Sequence, residues 1–400
     1  MMIRKYTTVA FTMLVLVASL SWTPVTVGAQ LTQYTAVRVQ KANTLAQEEK
    51  YAEAIETLNA IDANGAYDKA YVDRMLGVFY WQSDDTLLAI KHIRQAVESD
   101  LLEDEQAWTT KKMLADLLLN EQEFSQALPY YYDLVKAVPD SQKEDQLWLR
   151  IAQAQYQIEQ YREVLNGIAK YDKFGHPDEV TPLSLKLGAQ MQLKQWKGAI
   201  PTLERLIVLE PNKVNWWRQL AGLHLRLEQS KAALDTLALA TLQGIELSQQ
   251  DIHLKAQLYA QRGIPVRAAQ TMATLEKLSQ ESKLLAEQAT YWQMAKEWQE
   301  AIGTWKLAAK LDEKYYWNLA LLQSQEGQYK AALASLDKVT DKSRKADVEL
   351  ARVRALYKLN DIETALVHAK RVNEINPSNE AQSWVKFLTQ LREASSSSKV

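Results

Sequence analysis

Five histidines (His92, His176, His224, His253 and His368) are the side chains of this 400-residue sequence best able to hold a metal or shuttle a proton. Each falls in a different stretch, and none sits at a metal-ligand spacing such as HExxH. There is no cysteine, which excludes thiolate ligation, thiol nucleophiles and disulfides. No Gly-rich phosphate loop and no GxSxG elbow occurs. Acidic pairs are present, Glu48-Glu49 and Asp84-Asp85, but they fall where turns are expected and read as solvated caps. The residues therefore point to no catalytic group, no metal and no cofactor.

Twelve tryptophans raise a second chemistry, stacking on a sugar ring or on a partner's side chain. Trp148 and Trp217 recur at one position of a longer pattern, and Trp196, Trp298 and Trp305 at others, so these are expected in the core. Trp81 and Trp317 stand beside that pattern and are expected to project.

The pattern itself is a repeat. Small residues recur at Ala54, Ala89, Ala127, Val164, Ala199, Ala233, Ala268, Ala301, Ala332 and Ala365, at gaps of 35, 38, 37, 35, 34, 35, 33, 31 and 33. Twelve residues before each marker stands Ala42, Gly77, Ala115, Ala152, Leu187, Ala221, Ala256, Ala289, Ala320 or Val353. Small side chains at facing positions let two helices approach closely, and Tyr131, Trp305 and Leu336 then fill space toward the next unit. Each unit thus reads as helix A, a short turn and helix B. Gly263 and Gly327 mark two of the turns, and Pro139, Pro211 and Pro377 follow helix B in three units. The fifth and tenth units are expected to use a turn one residue shorter. The segment 171–178 is the expected loop or bend. Only 12 Gly and 9 Pro occur in the chain, which argues against sandwiches and barrels.

Residues 1–29 read as a cleavable secretory signal. Arg4 and Lys5 precede an uncharged apolar run from Val9 to Leu20, and Val27-Gly28-Ala29 offers a cleavage site before Gln30. Twelve apolar residues are too few to span a bilayer, which takes about 20. Losing Arg4 and Lys5 would leave 45 basic against 49 acidic residues, a net charge of −4. Such a balance offers no footing for nucleic acid or anionic lipid. Without a cysteine there is no lipidation site, so an exported, unlipidated, periplasmic protein is expected.

The recurring positions resemble the tetratricopeptide repeat, with its aromatic, Leu and small residues on helix A and its Ala, large apolar and closing Pro on helix B. The resemblance covers residues 34 to about 379. It implies an all-α, right-handed superhelical solenoid of about ten helix pairs over 30–379, a capping helix over 380–394 and a disordered tail over 395–400. Trp384, Phe387, Leu388 and Leu391 are expected on the cap's apolar face. It implies, further, a groove lined by helices A that binds an extended segment of another protein. The groove positions in this sequence are Tyr71, Arg74, Trp81, Gln82, Lys112, Asp116, Asn120, Gln153, Tyr156 and Gln157. Further along they are Arg218, Arg226, His253, Gln257, Gln261, Gln293, Trp317, Gln325, Arg354 and Tyr357. Its cations are read as isolated. One variant of the family grips acidic chaperone tails with a Lys/Asn/Arg clamp, but the matching first-unit positions here are Val39 and Asn43, so the leading Lys is missing.

Three stretches, Tyr71–Tyr80, Leu209–Leu220 and Ile264–Ala269, are similar to periplasmic repeat proteins associated with TonB–ExbB–ExbD energy-transduction systems of gammaproteobacteria. That similarity implies a component of such a complex, or a receptor it energises, as the partner. Two other functions fit the same residues, an adaptor in envelope assembly or polysaccharide export, and a glycan-binding protein using exposed Trp and Tyr.

Overall fold

A period near 34 residues with an apolar face in each half demands pairs of antiparallel helices. The structure, a computed structural model describing residues 30–397, consists of such pairs and contains no strand among those residues. The chain is all-α and an α-solenoid. It divides into two compact units, one ending at His176 and the other beginning at Pro177.

The first unit holds four pairs: α1 (Gln33–Gln47) with α2 (Tyr51–Asn59), α3 (Ala66–Gln82) with α4 (Thr86–Glu98), α5 (Asp104–Asn120) with α6 (Phe124–Leu134), and α7 (Glu144–Gln157) with α8 (Tyr161–Tyr171). The second begins with α9 (Val180–Gln192) and α10 (Trp196–Leu209), α11 (Val214–Arg226) and α12 (Ser230–Leu242), then α13 (Gln249–Gln261) and α14 (Pro265–Met272). It continues with α15 (Ser282–Met294) and α16 (Trp298–Leu311), α17 (Tyr316–Gln325) and α18 (Tyr329–Leu336), and α19 (Lys345–Lys358) and α20 (Ile362–Ile375). A last helix, α21 (Asn379–Ser397), follows. The division falls inside the segment 171–178, where a short 3-10 turn, Asp172–Phe174, ends at Gly175 with φ +70°.

Packing follows the register read from the sequence. All ten marker residues on helices B are fully buried, and their partners twelve residues earlier are buried too. Among the glycines the tightest meeting is at Gly77, where a Cβ would lie 2.4 Å from Ile93 Cγ1. Leu187 and Val353, larger than the pattern prefers, are accommodated at 3% and 0% exposure. The apolar interior is a row of separate patches, each made by neighbouring helices, as expected when a repeat touches only its neighbours.

The turn between the two helices of a pair is the same in all ten units. Five residues before each marker the backbone is left-handed, at Glu49, Asp84, Gln122, Glu159, Lys194, Glu228, Gly263, Lys296, Gly327 and Asn360. The next residue's N–H then donates to the carbonyl five residues back, at 2.8–3.0 Å in every unit, as in Lys50 to Leu45 and Asp361 to Leu356. This is a Schellman closure, and it satisfies carbonyls that the helix end leaves open. The shorter turn expected in the fifth and tenth units is therefore corrected, since Lys194 and Asn360 take the same place as the two glycines. The ends of the turn are set by main-chain bonds, which side-chain spacing does not report.

Helix α21 lays Ala381, Trp384, Val385 and Leu388 against α20 and its neighbours. Phe387, expected on that face, is 42% exposed and instead meets the edge of Tyr357 at 5.5 Å between ring centres. The helix runs on to Ser397, past the boundary at 394 expected for the cap. Residues 1–29, which carry the leader-like pattern, and residues 398–400 lie outside the described residues. Among the described residues no helix is long and apolar enough to cross a membrane.

Candidate partner-binding face

Helix A of each unit gives one stripe to the core and leaves another outside it. Between the two, polar side chains, most of them buried or half-buried, join several A helices to the next. The Asp68 carboxylate on α3 accepts from the hydroxyls of Thr32, the N-cap of α1, and Thr35, at 2.5 and 2.7 Å. Arg74 Nε donates to Thr110 Oγ1 of α5 at 3.0 Å. In the second unit Arg218 of α11 donates through Nε and Nη2 to Asp251 of α13 at 3.0 and 2.9 Å. His253 of α13 lies 2.7 Å from Glu287 of α15, and Arg354 of α19 donates to Glu380 of α21 at 2.6 Å.

These bonds correct one expectation. Of the cations read as isolated, Arg74, Arg218 and Arg354 have the partners just given and Lys112 is paired to Asp116 at 2.6 Å within its own helix, while Arg226 lies over an aromatic ring. For Arg218 the partner stands 33 residues away, which local spacing could not disclose. Asp251 has a further role, because Ser248 and Asp251 form the capping box at the start of α13. Burial pushes the Asp251 carboxyl up, yet hydrogen bonds from Arg218 and Ser248 and the guanidinium charge outweigh it and hold the group below its ordinary value. Asp68 behaves alike, with the Thr32 and Thr35 hydrogen bonds overcoming burial. Asp116 also accepts from the phenol of Tyr131 at 2.5 Å, and burial together with that carboxylate pushes the Tyr131 phenol far up.

The remaining expected groove residues divide into two groups. Trp81 is 45% exposed, and Gln82, Asn120, Gln157 and Gln261 are exposed with no hydrogen-bond partner among the described residues. Others are engaged by neighbours. Tyr71 packs beside the first core patch with Arg74 over its ring, Tyr156 meets Tyr161 edge-on at 5.7 Å, and Gln153 accepts from Arg150. Gln257 reaches toward Glu287 at 3.4 Å, Gln293 accepts from the Trp305 indole, and Arg226 lies over the Trp196 ring at 4.6 Å. Gln325 lies 3.3 Å from Glu326, and Tyr357 packs against Trp384. Trp317 does not project. It is half-buried against Ala320, Leu336 and Val348, with Arg344 above its ring at 5.4 Å.

Each histidine meets its own polar neighbour. His92 meets Asp73 at 2.8 Å, His176 meets Asp145 at 2.9 Å, and His368 meets Glu349 at 2.5 Å, while His224 lies 2.8 Å from Gln229. Among the described residues, no three His, Asp or Glu side chains converge as metal ligands would.

One feature of the first unit escaped the sequence reading. A cavity of about 350 Å³ opens between α6, α7 and α8, bordered by Tyr132, Trp148, Gln155, Gly167 and Lys170. Gln155 is buried, its amide nitrogen bonds to the Tyr132 hydroxyl, and its carbonyl oxygen has no partner. The same register position carries Gln190 and Gln323 in two later units, and there the oxygen accepts from Thr202 and Ser335. The residue matching Thr202 and Ser335 in this unit is Gly167, which has no hydroxyl to give. Comparing the repeats with one another would have disclosed it.

Comparison with known proteins places one unit directly. Residues 313–341 match the tetratricopeptide repeat. That span contains α17, α18 and the turn between them. A search of the curated proteins finds no match. Among solved structures, a tetratricopeptide repeat protein from Parabacteroides merdae ATCC 43184 is 15% identical, with 62% of this chain and 93% of that chain covered at a TM-score of 0.37. The C-terminal part of a repeat-containing protein from Cytophaga hutchinsonii is 16% identical, covering 69% and 95% at 0.38. YrrB, described as a tetratricopeptide repeat protein with an unusual peptide-binding site, is 14% identical, covering 48% and 97% at 0.33. A solenoid of such helix pairs suggests a scaffold for protein–protein interaction, because stacked repeats present extended surfaces.

Proposed function

We propose that this chain is an exported, periplasmic scaffold that binds an extended segment of another protein along the A-helix face of its first unit. The observation that carries the reading is Trp81. A large indole left 45% exposed at the end of α3, where packing does not require it, is a residue type that anchors protein interfaces. Tyr71 and Tyr156 add aromatic surface on α3 and α7. The charge balance and the absence of cysteine agree with a neutral, disulfide-free exported protein, and residues 1–29 have the layout of a secretory leader. The similarity of Tyr71–Tyr80, Leu209–Leu220 and Ile264–Ala269 to TonB-associated repeat proteins supports a TonB, ExbB or ExbD segment, or a receptor, as the partner.

The test is direct binding of purified periplasmic segments of TonB and ExbD to the wild-type chain and to a Tyr71→Ala/Trp81→Ala/Tyr156→Ala variant of matched melting temperature. Saturable binding that the variant loses supports the reading. Equal binding by both removes the site, and no binding to either segment removes TonB and ExbD as partners. Cell fractionation with N-terminal sequencing tests the address, the expected mature terminus being Gln30.

A further inference from the structure

Three residues after its marker, helix B of several repeats sends a side chain back to helix A. His92 lies 2.8 Å from Asp73 and stacks on Tyr80, and His368 lies 2.5 Å from Glu349. Thr202 and Ser335 donate to Gln190 and Gln323. These partners stand nine or sixteen residues before the marker. In the fourth repeat those two places hold Gln155 and Trp148, and the place that should answer them holds Gly167, the one glycine at this position in the ten repeats. The cavity between α6, α7 and α8 lies where that side chain is missing.

We infer that this cavity binds one pyranose ring of a saccharide, which supplies from outside the hydroxyl that Thr202 and Ser335 supply from within. The site is separate from the A-helix face proposed above and stands without it. Gln155 is 1% exposed, and its carbonyl oxygen has no partner among the described residues, so it calls for a donor. The Tyr132 phenol accepts from the Gln155 amide nitrogen, which leaves its own proton to give. Burial and the Glu163 carboxylate keep that phenol protonated. An unpaired acceptor next to a free donor suits a hydroxyl or a neighbouring pair of them, since a hydroxyl both gives and accepts. A carboxylate has no proton for Gln155, and an ammonium has no lone pair for Tyr132.

Trp148, expected in the core, is half-buried and borders the cavity. Its indole N–H donates to Glu144 at 2.9 Å, so what remains for a ligand is the ring face. That face is electron-rich and attracts C–H groups, which a pyranose presents on its flat side while its hydroxyls ring the edge. The exposed residues bordering the cavity, Glu163, Asn166 and Lys170, are polar, with Lys170 over the Trp148 ring at 5.5 Å. They serve the edge hydroxyls of a sugar, whereas a partner's tyrosine brings a single hydroxyl and leaves them unused. The volume, about 350 Å³, sits at the lower end of the roughly 300–1,000 Å³ of small-molecule sites and suits one ring.

The experiment labels the chain with 5-fluorotryptophan, assigns the Trp148 resonance with Trp148→Phe, and titrates the methyl glycosides of glucose, galactose, mannose and N-acetylglucosamine. At least one is expected to shift that resonance saturably, with a Kd of about millimolar as for a ligand so small. Gly167→Ser places a hydroxyl beside Gln155 and is expected to abolish the shift. Its Cβ would lie 3.2 Å from Ala152 Cβ, which asks the two helices to give slightly. Gln155→Leu therefore carries the test independently of strain at position 167, and is expected to weaken binding about threefold to tenfold, as for one hydrogen bond lost. If either variant binds as tightly as wild type, the cavity is not the site. If p-cresol or cyclohexanol binds more tightly than every glycoside, the occupant is a phenol or an apolar ring and the saccharide assignment is overturned. If no glycoside moves the resonance up to about 50 mM, water alone serves Gln155 and the proposal falls.

Discussion

Thr202 donates its hydroxyl to the carboxamide oxygen of Gln190 at 2.9 Å, between α10 and α9. Ser335 makes the same bond to Gln323 at 2.7 Å, and Gly167 leaves Gln155 without it. Stranding a buried acceptor costs about 1–3 kcal/mol. Thr202→Val, nearly equal in volume, is therefore expected to lower stability by that amount in urea denaturation. Gln155→Leu deletes an amide that already lacks its acceptor bond and is expected to cost less than half as much. Equal losses would refute the assigned bonding.

The left-handed turn residues give a second test. A residue with a side chain at φ near +60° carries about 1–2 kcal/mol of steric cost that glycine avoids, partly offset by glycine's greater freedom when unfolded. Lys194→Gly and Glu228→Gly, at φ +57° and +60°, are expected to raise stability by about 0.5–1 kcal/mol each. Gly263→Ala, at φ +74°, should lower it. Thermal melts of the three variants decide the matter, and a destabilised Lys194→Gly would contradict the turn.

Where Gly77 of α3 meets Ile93 of α4 the expectation concerns excess volume. Gly77→Ala puts a Cβ 2.4 Å from Ile93 Cγ1 and 2.6 Å from its Cδ1. Overpacking of this kind costs about 1–3 kcal/mol, and Ala127→Leu and Ala301→Leu belong to the same class. Ile93→Ala opens the space that the added methyl needs. The double variant Gly77→Ala/Ile93→Ala should therefore cost less than the two single changes added together, and additive losses would place the contact elsewhere.

The carboxylates that join A helices make stability depend on acid. Asp251 and Asp68 ionise more readily in the folded chain than in the unfolded one. Their contribution is complete above the ordinary aspartate value, about 3.9, and is lost as pH falls through the lower folded values. The stability gap between wild type and Asp251→Asn should be widest near pH 6 and shrink as pH drops from about 4 toward 2. Denaturant midpoints across that range measure it, and a constant gap would remove Asp251 from the acid response.

Much of this molecule was legible because size leaves a mark at each repeat. Ala54 and Ala42, or Ala127 and Ala115, must be small for two helices to meet, so the period, the pairing and the buried stripe could be read directly. Arg218 was different. Its partner Asp251 belongs to the next helix A, and nothing beside Arg218 in the chain reveals that its charge is already matched. Trp317 misled for a similar reason, since its neighbours Leu336 and Val348 come from helices further along.

Ten identical turns closed by peptide N–H and carbonyl groups have an outcome for how such a chain changes over generations. A joint specified by the main chain accepts Lys, Glu, Gln, Asp, Asn or Gly at its left-handed residue, as these ten do. Substitutions can accumulate there, and along the exposed stripes, while the architecture persists. The stretch that matches the tetratricopeptide repeat, residues 313–341, has its joint at one of the two glycines, Gly327, and the other eight joints close the same way with a side chain present.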